Sequence, residues 1–214
     1  MSRHTPHLVV SAPWDGQKLG LSVVQWRHIT KVLRMKSGQA VTYTDGLGTI
    51  GRGILGPQLI DRGDEETVPR PRELTVAVAP PANKDRQRFL VEKLAELGIA
   101  RLLWLETEHG QERVANSAKV FTWIVSAVEQ SRGAHLMETS PELVRLEDLT
   151  GRLVVCHPGG DTATPSEADV VAIGPEGGFA DDEIPKGAQL WDLGPTVLRV
   201  ETAAIVAAIS IRGN

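Results

Sequence analysis

Three short segments rich in glycine and proline follow apolar runs in the last third of the chain, and their composition suits binding of a small molecule. They are His157-Pro158-Gly159-Gly160, Gly174-Pro175-Glu176-Gly177-Gly178 and Leu193 to Arg199. Glycine permits positive φ and close backbone approach, whereas proline fixes φ. Because ligands gather at the carboxyl ends of the strands in an open parallel sheet, such loops are candidates to surround one ligand. A tight turn without a ligand is the alternative for each segment alone.

Charged and polar residues directly follow the third segment, at the start of an apolar helix. Thr202 suits a helix cap, and Glu201 is favoured by the helix dipole. A cation is disfavoured at this end of a helix, so Arg199 needs another explanation. We therefore expect Arg199 to hold an anion, which is Glu201, Glu176 or a phosphate of a substrate.

Several other kinds of chemistry lack their motifs. The sequence contains no GxxxxGK[ST], GxSxG or HExxH pattern, which argues against P-loop, serine-hydrolase and zinc chemistry. The GxGxxG letters of Gly46–Gly51 precede a segment that cannot be the helix of a dinucleotide site. The single cysteine, Cys156, lies in an apolar run and is interpreted as an inert buried thiol in a reducing compartment. With no apolar run long enough to span a bilayer, we expect a cytoplasmic protein. The spacing of the histidines predicts no metal site.

Strands alternate with helices over the C-terminal two thirds of the chain. This alternation predicts an α/β fold with a mostly parallel sheet. The predicted strands are 73–79, 101–106, 152–157, 170–174 and 188–194, and the predicted helices are 84–99, 117–131 and 201–211.

The first sixty residues differ in pattern and in charge. Residues 39–55 alternate around the turn DGLG, which predicts a β-hairpin, and residues 21–35 predict a helix with Ser22 and Gln25 as a capping box. Residues 1–60 hold seven Lys and Arg against two Asp and Glu, although the whole chain has a net charge of -4. Either this is a solvated surface or the front domain meets a polyanion. The polar segment 61–72 is the candidate linker, with domains at 1–68 and 72–214.

Two motifs together resemble a known family. The run IGPEGGF…DDEI followed by LGPTVLRVETA is similar to the C-terminal signature of the SPOUT methyltransferases, and most of all to the RsmE family. HITKVLRMKSGQAV, VEKLAELGI and AVEQSRG resemble further motifs of that family in the expected order. The resemblance covers nearly the whole chain and implies N3-methylation of a uridine in 16S rRNA of the small ribosomal subunit.

The resemblance also implies an architecture and a site. It implies a small β-rich, PUA-like RNA-binding domain, a SPOUT domain with a trefoil knot, an S-adenosylmethionine cofactor and a homodimer. The reacting groups would lie beside Arg199, Glu201 and Thr202. From the charges of the basic helix itself we expect RNA to dock at Arg27, Lys31, Arg34 and Lys36, with a solvated helix face as the alternative. The residues implied to hold the cofactor are His157, Pro158, Gly159, Ile173, Gly174, Pro175, Glu176, Gly177, Gly178, Leu193, Gly194, Val197 and Leu198.

Methylation of uridine N3 requires loss of the imide proton. Glu201 and Glu176 are the acids in the signature that are candidate bases, and Arg199 is a candidate to stabilise charge on a uracil oxygen. Two rival functions stay open, namely methylation of a ribose 2′-hydroxyl and a non-catalytic role in ribosome assembly.

Overall fold

Strand pairing divides the chain into two units. The computed structural model describes residues 5–70, 73–110, 113–165 and 167–212. One unit comprises residues 1–70 with 128–136, and the other comprises 71–127 with 137–214. The predicted boundary lies between 68 and 72, and the sequence carries no signal for the return of residues 128–136 to the first unit.

The first unit contains a five-stranded mixed sheet. Its strands are β1 (His7–Val9), β2 (Lys18–Gly20), β3 (Ala40–Thr44), β4 (Thr49–Gly56) and β5 (Leu59–Thr67), in the order β1-β3-β4-β5-β2. β1 and β3 are parallel, and the other neighbours are antiparallel. The predicted hairpin is therefore confirmed as β3 and β4. Its turn is closed by Asp45, whose Oδ1 accepts hydrogen bonds from the amides of Leu47 and Thr49 at 2.7 and 3.0 Å.

Glycines of β4 make room for Tyr43 of the neighbouring strand. A β-carbon on Gly51 would lie 2.2 Å from the Tyr43 ring, which is fully buried. β4 begins within the GxGxxG letters, so a strand stands where a dinucleotide site needs a helix, and Gly51 serves sheet packing.

The predicted linker is wrong for residues 61–67. They belong to β5, which pairs with β4 and β2. Most of their side chains are exposed, so the segment shows neither an apolar run nor clear alternation. Backbone pairing holds it instead, supported by the ion pair of Arg62 with Glu65 and by the Tyr43 hydroxyl, which donates to Glu65 at 2.7 Å.

The basic helix is present but broken in geometry. α1 (Val23–Arg27) runs into a π-helical turn at His28–Val32, and the predicted capping box of Ser22 and Gln25 is confirmed. Ile29 is buried, whereas Val24 is 78% exposed and Val32 is also exposed. The helix thus contributes Ile29 and the partly buried Trp26 to the core. The π turn changes the angular spacing of the residues that follow it.

A six-stranded sheet forms the centre of the second unit. Its strands are β6 (Thr75–Val78), β7 (Arg101–Leu105), β8 (Glu138–Val144), β9 (Leu153–Asp161), β10 (Val170–Ile173) and β11 (Gln189–Trp191), in the order β11-β9-β10-β6-β7-β8. Every neighbouring pair is parallel. The helices are α2 (Lys84–Glu96), α3 (Ser117–Ser131) and α4 (Val200–Arg212). The prediction of an α/β fold with a parallel sheet is confirmed.

Strand β8 was missed because its sequence, ETSPELV, is polar and contains Pro141. Proline argues against a central strand but is tolerated at an edge. β8 is the edge strand of this sheet and pairs with β7 alone, with a shift in register between Leu102 and Trp104.

Helix α4 packs against α2, β6 and β10. Its inner face consists mainly of small buried residues, including Ala203, Ala204, Ala207 and Ala208. The outer face is partly open, since Ile209 is 51% exposed in the isolated chain.

Candidate functional site

The carboxyl-terminal ends of β9, β10 and β11 lie next to one another in the parallel sheet. Ile173 pairs with Cys156, so Gly174 leaves β10 beside His157 of β9. The sequence placed a loop at His157–Gly160, but β9 continues through these residues to Asp161, which pairs with Trp191. The physical reason is Gly160, whose absent β-carbon would lie 2.6 Å from the Leu190 carbonyl carbon.

Asp192 joins the C-terminal part of β9 to the segment that follows β11. Its carboxylate accepts a hydrogen bond from the Gly194 amide at 2.9 Å and from the Gly159 amide at 3.3 Å. Hydrogen bonds from the amides of Gly194 and Gly159 lower the pKa of Asp192 and keep its carboxylate ionised. The carboxylate thus acts as a clamp on these two amides. Two of the three predicted cofactor segments are thereby held together by a residue outside the predicted set.

The loop Gly174–Gly178 is a tight turn packed on both sides. Gly178 has φ of 77° and donates its amide to the Pro175 carbonyl at 2.9 Å. A β-carbon on Gly174 would lie 3.0 Å from the Phe179 ring, and one on Gly177 would lie 3.1 Å from the β-carbon of His109. The loop therefore needs its glycines for conformation and for packing.

Open space remains beside the backbone where these strands end. A β-carbon on Gly159, Gly178 or Gly194 would meet no atom within 4 Å, although each of these residues has positive φ. The side chain of Val197 is 95% exposed. In addition, Nδ1 of His157 is buried and has no hydrogen-bond partner among the described residues. Exposed backbone, an apolar side chain and an unsatisfied polar atom suit a ligand with both polar and apolar parts.

Arg86 of α2 ties the loop after β10 to the first turn of α4. Its Nη1 donates to Glu176 at 2.9 Å. Its Nε and Nη2 donate to the Glu201 carboxylate, the shortest contact being 2.7 Å from Nη2 to Oε2. One guanidinium thus binds both of the acids that the sequence offered as candidate bases.

The environment of Glu201 makes it a poor base. Burial acts to raise its pKa, but hydrogen bonds from Arg86 and from its own backbone amide, with the charge of Arg199, hold that pKa below the ordinary value. A carboxylate that is ionised and occupied by donors has little tendency to accept a proton.

Arg199 is exposed and makes no ion pair with the described residues. The prediction that it holds Glu201 or Glu176 is wrong, because Arg86 binds both; a substrate anion stays a prediction. Thr202 is exposed and lies inside the first turn, since α4 begins at Val200, so it is not the cap.

The four cations predicted to bind RNA lie in the first unit. Their side chains are exposed and have no ion-pair partner within the described ranges. Arg34 has φ of 55°, and Arg27 ends α1. The members of this basic cluster are Arg27, Lys31, Arg34 and Lys36.

Other candidates contribute no chemistry to the site. Burial raises the pKa of Cys156 to about 12, which agrees with an inert thiol. The described residues contain no group of three or more His, Cys, Asp and Glu side chains able to hold a metal. Among the described helices, none is long and apolar enough to cross a membrane.

A cavity of about 510 Å³ lies elsewhere, between α3 and β8. Trp104, Val120 and Met137 contribute to its lining, and none of the predicted site residues does. Because β8 and β11 are opposite edges of the sheet, this cavity is separate from the candidate site.

Arg86 and Asp192 are the site residues that sequence reasoning missed. Each had a weak signal. Arg86 is a cation in the first turn of a helix, where the dipole disfavours it, and Asp192 precedes Gly194 by two residues, as in an Asx turn.

Comparison with known proteins identifies the region that contains this site. The model of the RNA methyltransferase domain matches residues 68–212. A Mycobacterium tuberculosis protein named ribosomal RNA small subunit methyltransferase E is 32% identical over 216 residues, which cover 84% of this chain and 80% of that protein.

Solved structures resemble the chain over almost its whole length. A candidate methyltransferase from Legionella pneumophila, in complex with the cofactor SAM, superimposes with a TM-score of 0.84 at 28% identity, covering 98% of this chain and 97% of the other. A ribosomal RNA small subunit methyltransferase E from Neisseria gonorrhoeae, bound to S-adenosyl methionine, has a TM-score of 0.82 at 24% identity, with 98% of each chain covered. At 24% identity, the likeness to the Neisseria gonorrhoeae structure shows the fold alone.

Proposed function

This chain belongs to the family of RNA methyltransferases named ribosomal RNA small subunit methyltransferase E, and we propose that it methylates N3 of a uridine in 16S rRNA, using S-adenosylmethionine. The observation that carries the proposal is the meeting of the β9, β10 and β11 ends beside Arg199 and α4, in a chain that resembles a SAM-bound protein at 28% identity.

The cofactor is proposed to bind at the carboxyl-terminal ends of β9, β10 and β11. The open backbone at Gly159, Gly178 and Gly194 and the unsatisfied Nδ1 of His157 fit its polar groups, and Val197 and Leu198 fit its apolar surface. When bound, S-adenosylmethionine supplies an electrophilic methyl group on a sulfonium. The proposed contacts are those of the sequence analysis: His157, Pro158, Gly159, Ile173, Gly174, Pro175, Glu176, Gly177, Gly178, Leu193, Gly194, Val197 and Leu198.

Arg199 is proposed to promote loss of the N3 proton. Donors aimed at O2 or O4 stabilise the uridine anion, so that the proton passes to water and the N3 lone pair becomes available. Arg199 suits this role because it is exposed and makes no ion pair with the described residues, whereas Glu201 and Glu176 are occupied. Glu201 then orients Arg86 and α4, and the exposed Thr202 lies beside the substrate.

The first unit is proposed to be the PUA-like RNA-binding domain. Support comes from its mixed β-sheet and from the basic cluster Arg27, Lys31, Arg34 and Lys36, whose charges are free to neutralise phosphates. A uridine within folded rRNA must be splayed out before its N3 is accessible. We place the enzyme in the cytoplasm, with its ribosomal substrate.

A homodimer and a knot complete the proposal. The exposed Ile209 on the outer face of α4 and the exposed Val197 are apolar surfaces suited to a second copy. A trefoil knot agrees with the path of the chain, which runs from β10 to β11 at the sheet edge and then back to α4, packed on β10 and β6.

The test is methyl transfer from labelled S-adenosylmethionine to small ribosomal subunits that lack the modification, followed by nucleoside analysis. We expect label in N3-methyluridine. Label in a ribose-methylated nucleoside would replace the proposed target while retaining the enzyme class. Cofactor binding without transfer to these subunits would overturn the proposed substrate, and absence of cofactor binding would favour an assembly role.

A further inference from the structure

Arg86 occupies a position that its own helix disfavours. Asn83 caps α2 by accepting the Asp85 amide at 2.7 Å, so Arg86 lies in the first turn, where the helix dipole opposes a cation. The compensation comes from Glu176 and Glu201, which belong to two other elements of the second unit. An arginine placed against the dipole and bound to two distant segments has a positional role.

We propose that Arg86 is a positioning residue that sets the cofactor-binding conformation of the Gly174–Gly178 loop by fixing it to the first turn of α4. The inference rests on the proposed function, because it assigns the loop to the methyl donor. Arg86 acts through Glu176 and Glu201.

The geometry requires a guanidinium. One edge of Arg86, formed by Nε and Nη2, binds the Glu201 carboxylate, while Nη1 remains for Glu176. Lysine has a single ammonium and cannot reproduce this fork. The Glu201 side chain is only 9% exposed, so loss of the fork would leave a buried carboxylate without its main donor.

The same contacts decide which arginine is available to the substrate. Arg86 forms ion pairs with both Glu176 and Glu201. Arg199 is left without an ion-pair partner among the described residues. The charge of Arg199 helps to lower the pKa of Glu201, but no ion pair joins these two side chains.

The experiment compares Arg86→Gln and Arg86→Lys with Arg88→Gln. Arg88 lies on the same helix and pairs with Glu92 within that helix, which makes it a matched control. We expect the Kd for S-adenosylmethionine, measured by calorimetry, to rise about tenfold or more in both Arg86 variants and to stay within about twofold in the control. KM for the cofactor should rise while affinity for RNA is unchanged. Folded Arg86 variants with wild-type cofactor affinity would overturn the proposal.

A second variant protects the test against misfolding. Glu176 is exposed, so Glu176→Gln should fold and still weaken cofactor binding. Because the two residues act as one contact, Arg86→Gln should add less in the Glu176→Gln background than in the wild type. Full additivity would contradict action through Glu176.

Hydrogen exchange separates this inference from the proposed function. In the absence of cofactor, the amides of Gly174 and of residues 176–179 should exchange faster in Arg86→Gln than in Arg88→Gln and the wild type. If the wild type fails to bind S-adenosylmethionine but the exchange difference is present, the proposed function fails and the positional role of Arg86 stands. Equal exchange in all three proteins would overturn the role of Arg86.

Discussion

Cations in the two units of the molecule have opposite surroundings. In the first unit, Arg27, Lys31, Arg34 and Lys36 are exposed and have no ion pairs among the described residues, whereas Arg86 in the second unit binds two carboxylates at once. Unpaired surface cations are free to neutralise a polyanion, and a saturated, partly buried cation fixes geometry. Arg199 resembles the first group although it belongs to the second unit, since it is exposed and makes no ion pair with the described residues. We therefore expect substitutions of the two kinds to affect different steps.

The largest effect should come from Arg199→Ala. We expect methyl transfer under single-turnover conditions to fall about 100-fold to 1,000-fold, because a donor to the developing uracil charge is lost. The Kd for S-adenosylmethionine should change little. Arg199→Lys keeps the charge and should lose less activity. Near-normal transfer by Arg199→Ala would exclude the role of this side chain in stabilising the uridine anion.

Removing the basic cluster should weaken RNA binding next most strongly. The quadruple variant Arg27→Ala, Lys31→Ala, Arg34→Ala and Lys36→Ala is expected to lose about tenfold to 100-fold in affinity for small-subunit RNA at low salt. Filter binding would measure this loss.

A matched control removes as many cations from surface ion pairs of the second unit, at Arg88, Lys93, Arg101 and Arg145. If the control loses as much affinity as the cluster variant, net charge alone explains binding and the cluster is not the docking surface.

Glu201→Gln tests how much the Arg86–Glu201 ion pair contributes to the free energy of unfolding. At pH 7 we expect a loss of about 1–2 kcal/mol in the free energy of unfolding, since charged hydrogen bonds from Arg86 are weakened. The folded pKa of Glu201 is lowered, so its contribution is complete above the unfolded value of about 4.3 and disappears as pH falls through the folded pKa. Urea unfolding at several pH values should show the difference between the two proteins shrinking in acid. A difference that grew in acid would contradict a lowered pKa.

The smallest effect is expected from Asp192→Asn. The amide keeps the shape of the side chain but replaces one acceptor oxygen of the clamp on Gly159 and Gly194, so cofactor affinity should fall about threefold. Asp148→Asn, which alters an exposed ion pair with Arg145, is the control for calorimetry. Equal affinities of the wild type and Asp192→Asn would show that the clamp does not shape the site.

The sequence predicted most of the fold because its elements carry local signals. Alternation in QAVTYT and TIGRGIL predicted the β3–β4 hairpin, and apolar runs such as VVAI predicted the central parallel strands. β5 and β8 were missed because strands held by backbone pairing at exposed positions or at an edge need no apolar pattern. The break at His28–Val32 was missed because π-helical turns have no strong sequence signal.

The candidate site was predicted where one motif contains its parts. Glycine-rich strand ends indicated the loops, but the partners of Glu176, Glu201 and Gly159 depend on which elements become neighbours. Arg86 lies 115 residues from Glu201 in sequence, a separation at which no periodicity signals a contact. The sequence therefore left Glu201, Glu176 and a substrate phosphate open as the anion held by Arg199, and tertiary packing pairs both acids with Arg86.

The most direct test of this division between free and paired cations is the salt dependence of two affinities in the wild-type protein. Kd values for small-subunit RNA and for S-adenosylmethionine would be measured in parallel from about 50 to about 200 mM salt. We expect a steep loss of RNA affinity, with a log–log slope of about -3 if the cluster meets four phosphates, and a nearly constant cofactor affinity. RNA affinity that does not change with salt, or cofactor affinity that falls in parallel with it, would show that the free and paired cations do not divide the two binding steps.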